Sequence, residues 1–127
     1  MADTKFKSIP QMIRNRANTY SSREVFRFID KKTDEQKSIS WDEFVAGSEK
    51  VSKALLAEGF GLESKIGIFS NNRPEWTIAD IGILDIRAIV VPFFATASKE
   101  QCKYIVDETD MELMFIGDEE QLEKALW

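Results

Sequence analysis

Histidine is absent from this 127-residue chain. Ser-His-Asp and Cys-His catalysis, imidazole bases and histidine-ligated metals are therefore outside its own repertoire. Cysteine occurs once, as Cys102, which excludes an internal disulfide, a CxxC pair, and a cysteine-built zinc or iron–sulfur site. The reducing cytosol is the natural setting for such a sequence. Long hydrophobic runs are missing as well. The longest, Ala88 to Ala95, is interrupted by Pro92 and falls far short of a membrane-spanning helix. The polar start Met1-Ala2-Asp3-Thr4-Lys5 lacks the form of a signal peptide. Positive charge is outnumbered, with 17 Lys and Arg against 22 Asp and Glu, which argues against a nucleic-acid-binding domain.

What remains is the balance of a globular domain, 43% hydrophobic and 31% charged. A chain of this length holds one core and buries roughly 70% of its unfolded surface. Charge is laid unevenly: residues 1–37 carry nine basic and five acidic side chains, and residues 65–127 six and twelve. The acidic residues between Asp107 and Glu123 alternate with Ile105, Val106, Met111, Leu113, Phe115 and Ile116. With no ordered ligand spacing such as an EF-hand loop, they read as the wet edge of buried elements.

Residues 8–20 read as a short helix with Met12, Ile13 and Ala17 on one face. Val25 to Asp30 and Gln36 to Ile39, around a polar loop, predict a β-hairpin. Ser40-Trp41-Asp42-Glu43 fits a capping box opening a long helix that Gly59 and Gly61 end. Beyond it, three short apolar runs begin at Ile66, Ala88 and Leu113, each followed by a helical stretch. Strands apolar on both faces and alternating with helices predict right-handed βαβ crossovers. The expected fold is α/β, a three-layer, mainly parallel sheet with flanking helices and an amino-terminal β-hairpin. Strands are expected near residues 65–70, 88–93 and 111–116. The run Asp80 to Ile86 is apolar nearly all round, so its helix should be sandwiched, and in so small a chain this hints at neighbours beyond it.

Ligands of open parallel sheets bind where strands end and loops enter helices. Three loops qualify: Ser70 to Arg73, Pro92 to Ala97, and Gly117-Asp118. None holds a GxGxxG or Walker pattern. In the first, Asn72 caps the helix and Glu75 closes a box; the alternative aims Asn71 or Arg73 at an anion. The second either closes a turn over the core or lets an extended apolar ligand lie against the backbone. Cys102 shares an apolar face with Ile105 and Val106 and reads as core.

The order of these segments resembles the amino-terminal region of AMP-binding, adenylate-forming ligases. The resemblance is carried by Ser38 to Phe44, Ala54 to Gly59, Lys65 to Trp76 and Ile89 to Ser98, and covers roughly residues 8 to 127. Asn72-Arg73-Pro74-Glu75-Trp76 and Pro92-Phe93-Phe94 look most like long-chain fatty acyl-CoA synthetases. One departure is Arg87, where the family usually has glycine. The family's phosphate loop ending in Pro-Lys-Gly, magnesium glutamate, ribose aspartate and catalytic lysine match nothing in this sequence.

The resemblance therefore implies that residues 1–127 are a truncated amino-terminal part of an AMP-binding ligase domain, a partial acyl-CoA synthetase. The parent would join a fatty acid to coenzyme A through an acyl-adenylate, using ATP and Mg2+, with none of these cofactors held by the fragment. No catalytic or metal residue is assigned. Phe94, Ala95 and Thr96 are carried over as the border of the coenzyme A and acyl channel. Further expectations are self-association of the fragment and a cytoplasmic location, with peripheral membrane attachment open for the parent. Two other readings stand: a ligase for an aromatic or amino acid, and a free-standing flavodoxin-like binding or interaction domain.

Overall fold

The computed structural model describes residues 5–126, so the start through Thr4 and the last residue, Trp127, lie outside the described residues. The element order is α1 (Ile9–Tyr20), β1 (Glu24–Asp30), β2 (Glu35–Ser40), α2 (Trp41–Ala57), β3 (Lys65–Phe69), α3 (Pro74–Asp85), β4 (Ile89–Pro92), α4 (Lys99–Thr109), β5 (Leu113–Ile116) and α5 (Glu119–Ala125). Strands β1 and β2 form the antiparallel hairpin, with Asp30 opposite Glu35. The other three form a parallel sheet in the order β4-β3-β5.

Local chemistry explains most boundaries. Ser40 caps α2 as expected: its Oγ accepts from Glu43 N at 3.2 Å, and Glu43 Oε1 accepts from Ser40 N at 3.3 Å. The helix ends in a Schellman motif, with Gly59 at φ 91°, Phe60 N donating to Leu55 O and Gly59 N to Leu56 O. Ser98 and Gln101 form the same reciprocal box at α4. The start of α3 differs from the expectation. Arg73, not Asn72, is the N-cap residue, extended at φ −158°, with no side-chain cap bond. Pro74 at the first helical position forces its predecessor out of helical conformation, which leaves Asn72 outside the helix. Arg87 keeps a left-handed backbone at φ 64°, at a cost of about 1 kcal/mol.

Three layers result. Ile66 and Ile68 of β3, with Val90, Leu113 and Phe115, meet Leu55 of α2 and Ala79 and Ile83 of α3 on one face. Phe69, Val91 and Met114 meet Phe93, Ala97, Cys102 and Ile105 of the α4 side on the other. Complete burial of residues such as Ile66 and Ile83 stabilises the fold by roughly 1.5–3 kcal/mol each. The apolar helix α3 is indeed sandwiched, but by α1, α2 and the sheet of this same chain. It lies against α2 at small residues, where Ser52 Oγ donates to Gly82 O at 2.7 Å. The hairpin is fixed to α2 by Phe26, whose ring stands edge-on to Phe44 at 5.1 Å.

Candidate site at the carboxyl rim of the sheet

All three strands of the parallel sheet release their loops at one rim, and the loops are tied to one another. Arg73 Nη1 donates to Gly117 O at 3.1 Å, and Asn71 Nδ2 reaches Asp118 Oδ2 at 3.4 Å, so the loops after β3 and β5 are joined. Both side chains offered as anion ligands are thus engaged in cross-ties. Gln121 Nε2 donates to Ala95 O at 3.3 Å, joining α5 to the loop after β4. Gly117 sits where these parts converge. A Cβ there would press on Ser70 Oγ and stand 2.9 Å from Gln121 Oε1, so close approach, not turn geometry, requires glycine.

The loop after β4 turns tightly, with Ala97 N donating to Phe94 O at 3.0 Å. Phe93 faces inward and stacks on Phe69 at 5.5 Å. Phe94 therefore faces outward and is 87% exposed, unusually so for an aromatic side chain. It lines an open, mainly apolar groove of about 520 Å³ together with Pro92, Ala97, Gln101, Tyr104 and Ile105. Of the three channel residues carried over from the resemblance, Phe94 lines this groove, Ala95 gives its carbonyl to Gln121, and Thr96 is exposed beside them. Sequence reasoning missed Tyr104 and Gln121. Tyr104, 67% exposed, carried a visible signal as a large aromatic on the polar side of α4; Gln121 resembled an ordinary surface residue.

Cys102 lies below the loop, fully buried beside Phe93 and Ala97, and desolvation is the main cause that raises its thiol pKa. The acidic residues make local bonds: Asp118 Oδ1 accepts from Gln121 N at 2.8 Å, and Asp107 pairs with Lys103 at 2.6 Å. Among the described residues, no group of three or more His, Cys, Asp or Glu is placed to hold a metal, and no helix is long and apolar enough to cross a membrane.

A parallel βαβ sheet with its loops gathered at one rim is a frame on which α/β proteins bind ligands, and the sequence places the chain in a family. The profile of the AMP-binding enzyme family matches residues 13–126, and the chain belongs to that family. It is 32% identical over 90 residues to long-chain-fatty-acid–CoA ligase 1 of Homo sapiens, an alignment covering 69% of this chain and 13% of that protein. It is 27% identical over 119 residues to long-chain-fatty-acid–CoA ligase ACSBG1 of Rattus norvegicus, covering 94% of this chain and 16% of that protein. Its fold matches an inhibitor-bound crystal structure of the N-terminal domain of FACL13 from Mycobacterium tuberculosis. That match has a TM-score of 0.76 at 15% identity, over 95% of this chain and 36% of the other. The chain thus spans well under a fifth of the length of these two ligases.

Proposed function

We propose that this chain is the amino-terminal portion of a long-chain fatty acid–CoA ligase, acting by ATP-dependent acyl adenylation followed by thioester formation with coenzyme A. The observation that carries the reading is the 32% identity to a long-chain-fatty-acid–CoA ligase. The chain's own contribution is a wall. Phe94 offers an exposed aromatic face, Ala95 a small side chain and Thr96 a hydroxyl, at the border of the coenzyme A and acyl channel.

The sequence holds no Ser/Thr/Gly-rich phosphate loop, which supports a MgATP site built from other parts of a longer protein. Binding of ATP, Mg2+ and coenzyme A belongs to the longer protein in this reading, and the isolated chain is catalytically silent. A cytoplasmic setting goes with it, supported by the lone, buried Cys102. The test is pyrophosphate release from MgATP and a fatty acid, with and without coenzyme A. No release above a no-protein control is expected from residues 1–127, and release is expected from the product of the full reading frame. Release by the short chain that Phe94→Asp abolishes would overturn the proposal.

The isolated chain also self-associates in this reading, and the support is an asymmetry between the two sheet edges. Ile89 and Phe93 donate inward, to Ser64 O at 2.7 Å and Ile68 O at 3.0 Å. Alternation turns Val90 and Pro92 outward, and proline has no N–H to offer, so the β4 edge is blunted. On the other edge Gly117 donates inward to Phe69 O, which turns the amides of Met114 and Ile116 outward and leaves β5 able to pair. Glu112 and Asp118 flank it, so like charges oppose two β5 edges and salt should strengthen association. Light scattering across protein and salt concentration should show dimers that Ile116→Lys removes. A monomer under every condition would refute this.

A further inference from the structure

Gln121 is only 3% exposed, although it lies in a seven-residue helix otherwise rich in charged and exposed side chains. Packing alone does not explain a glutamine there. Its Oε1 is buried with no hydrogen-bond partner, a cost that a methionine filling the same space would avoid. What glutamine supplies and methionine lacks is the donor, and that donor is spent on Ala95 O at 3.3 Å. The base of the side chain is fixed independently, because Gln121 N donates to Asp118 Oδ1, which caps α5. Asp118 is in turn held by Asn71 from the loop after β3.

We propose that Gln121 is a positioning residue, a latch whose amide holds the Phe94–Ala97 turn against α5 and so sets the wall of the groove that Phe94 lines. Without the latch, the turn is held by the Phe94–Ala97 backbone bond, by the Phe93 N bond to Ile68 O at its start, and by the packing of Phe93 and Ala97. The turn then opens locally while the sheet stays intact. This deepens the channel-wall reading and rests on it only for the ligand; the latch itself is a property of the chain.

Cys102, fully buried beneath Phe93 and Ala97, reports such opening. The experiment measures its labelling by a small aromatic disulfide reagent, against urea below the unfolding transition, in the wild type, Gln121→Met and Ile83→Ala. Ile83 is buried on the far face of the sheet, so its truncation lowers global stability only. Wild type and Ile83→Ala should label through global unfolding, with rates rising steeply with urea. Gln121→Met should label about tenfold faster in water, the loss of one hydrogen bond, with little dependence on urea. Labelling of Gln121→Met at the wild-type rate, or with the full urea slope of Ile83→Ala, overturns the latch. If Gln121→Met does not fold, wild-type NMR decides: the Gln121 side-chain amide protons should exchange as slowly as the Ala97 amide, and rapid exchange overturns the proposal. A fluorescent long-chain fatty acid should bind the wild type more tightly than Gln121→Met. Failure of the wild type to bind it counts against the channel-wall reading, and the thiol kinetics still decide the latch.

Discussion

On one face of the parallel sheet, Ile66, Ile68 and Leu113 are clamped beneath α2 and α3; on the other, Phe69, Phe93, Ala97 and Cys102 are roofed by α4 and the loop that carries Phe94. Among the described residues, the first side contains no methionine and has a close helix crossing, where an added Cβ at Gly82 would meet the Ser48 carbonyl. The second uses Met111 and Met114, unbranched thioethers that adapt to irregular gaps. The difference separates labour within one sheet. The expectation is that packing is stiffer away from the groove and more compliant directly under it.

The two faces should respond differently to a methyl group added at a glycine. At Gly82 an added Cβ would stand 2.6 Å from Val51 Cγ1 and 2.9 Å from the Ser48 carbonyl oxygen. Backbone cannot step aside, so Gly82→Ala should lose about 3 kcal/mol to overpacking, offset by about 1 kcal/mol of helix propensity. At Gly67 the nearest atoms are Met111 Sδ at 2.8 Å and Phe93 Cε1 at 3.1 Å. The thioether can swing away, so Gly67→Ala should cost about 1 kcal/mol or less. Urea titration of both variants measures the contrast; equal losses would mean that the two faces are equally stiff.

The smallest expected effect concerns charge on the rigid side. Burial on α3 raises the carboxyl pKa of Asp80 above its ordinary value. The folded chain therefore binds this proton more readily than the unfolded one, and the group's contribution to stability falls as pH rises from the ordinary carboxylate pKa through the raised one. Asp80→Asn should raise the midpoint of thermal unfolding at pH 7, by an amount that shrinks as pH falls below the ordinary carboxylate pKa. A gain that is the same at both pH values would point to a cause other than desolvation.

The layered sheet was readable because Ile66-Gly67-Ile68-Phe69 and its two counterparts are apolar on both faces, a pattern with one common solution between helices. The boxes at Ser40 and Ser98 were readable because both partners lie within one turn of chain. The misplaced cap at Asn72 came from weighing a side-chain preference above the steric rule that Pro74 imposes on Arg73. Strand β5 coincides with the third apolar run, Leu113–Ile116, and starts there because Asp110 turns left-handed at φ 53° and Met111 packs into the Cys102 cluster. The rim was legible as a place, since Phe94 stood in a strand-ending loop. Its cross-ties were not, because Gln121 to Ala95 and Arg73 to Gly117 join residues that only the completed sheet brings together.

The order of strands also sets an order in time. Asp30 meets Glu35 across a short turn, whereas Ile66 meets Leu113 only after α3, β4 and α4 have been laid down between them. Contacts so distant along the chain exact a loop-closure entropy that neighbouring ones do not, and they slow the search for the native state. The hairpin and α2 should therefore form early, both as the chain leaves the ribosome and when it refolds from denaturant. The rim, which needs β5 seated on β3, should form after them. Until then Leu113 to Ile116 should stand as an unpaired apolar strand, an aggregation hazard of the kind that slow long-range pairing creates.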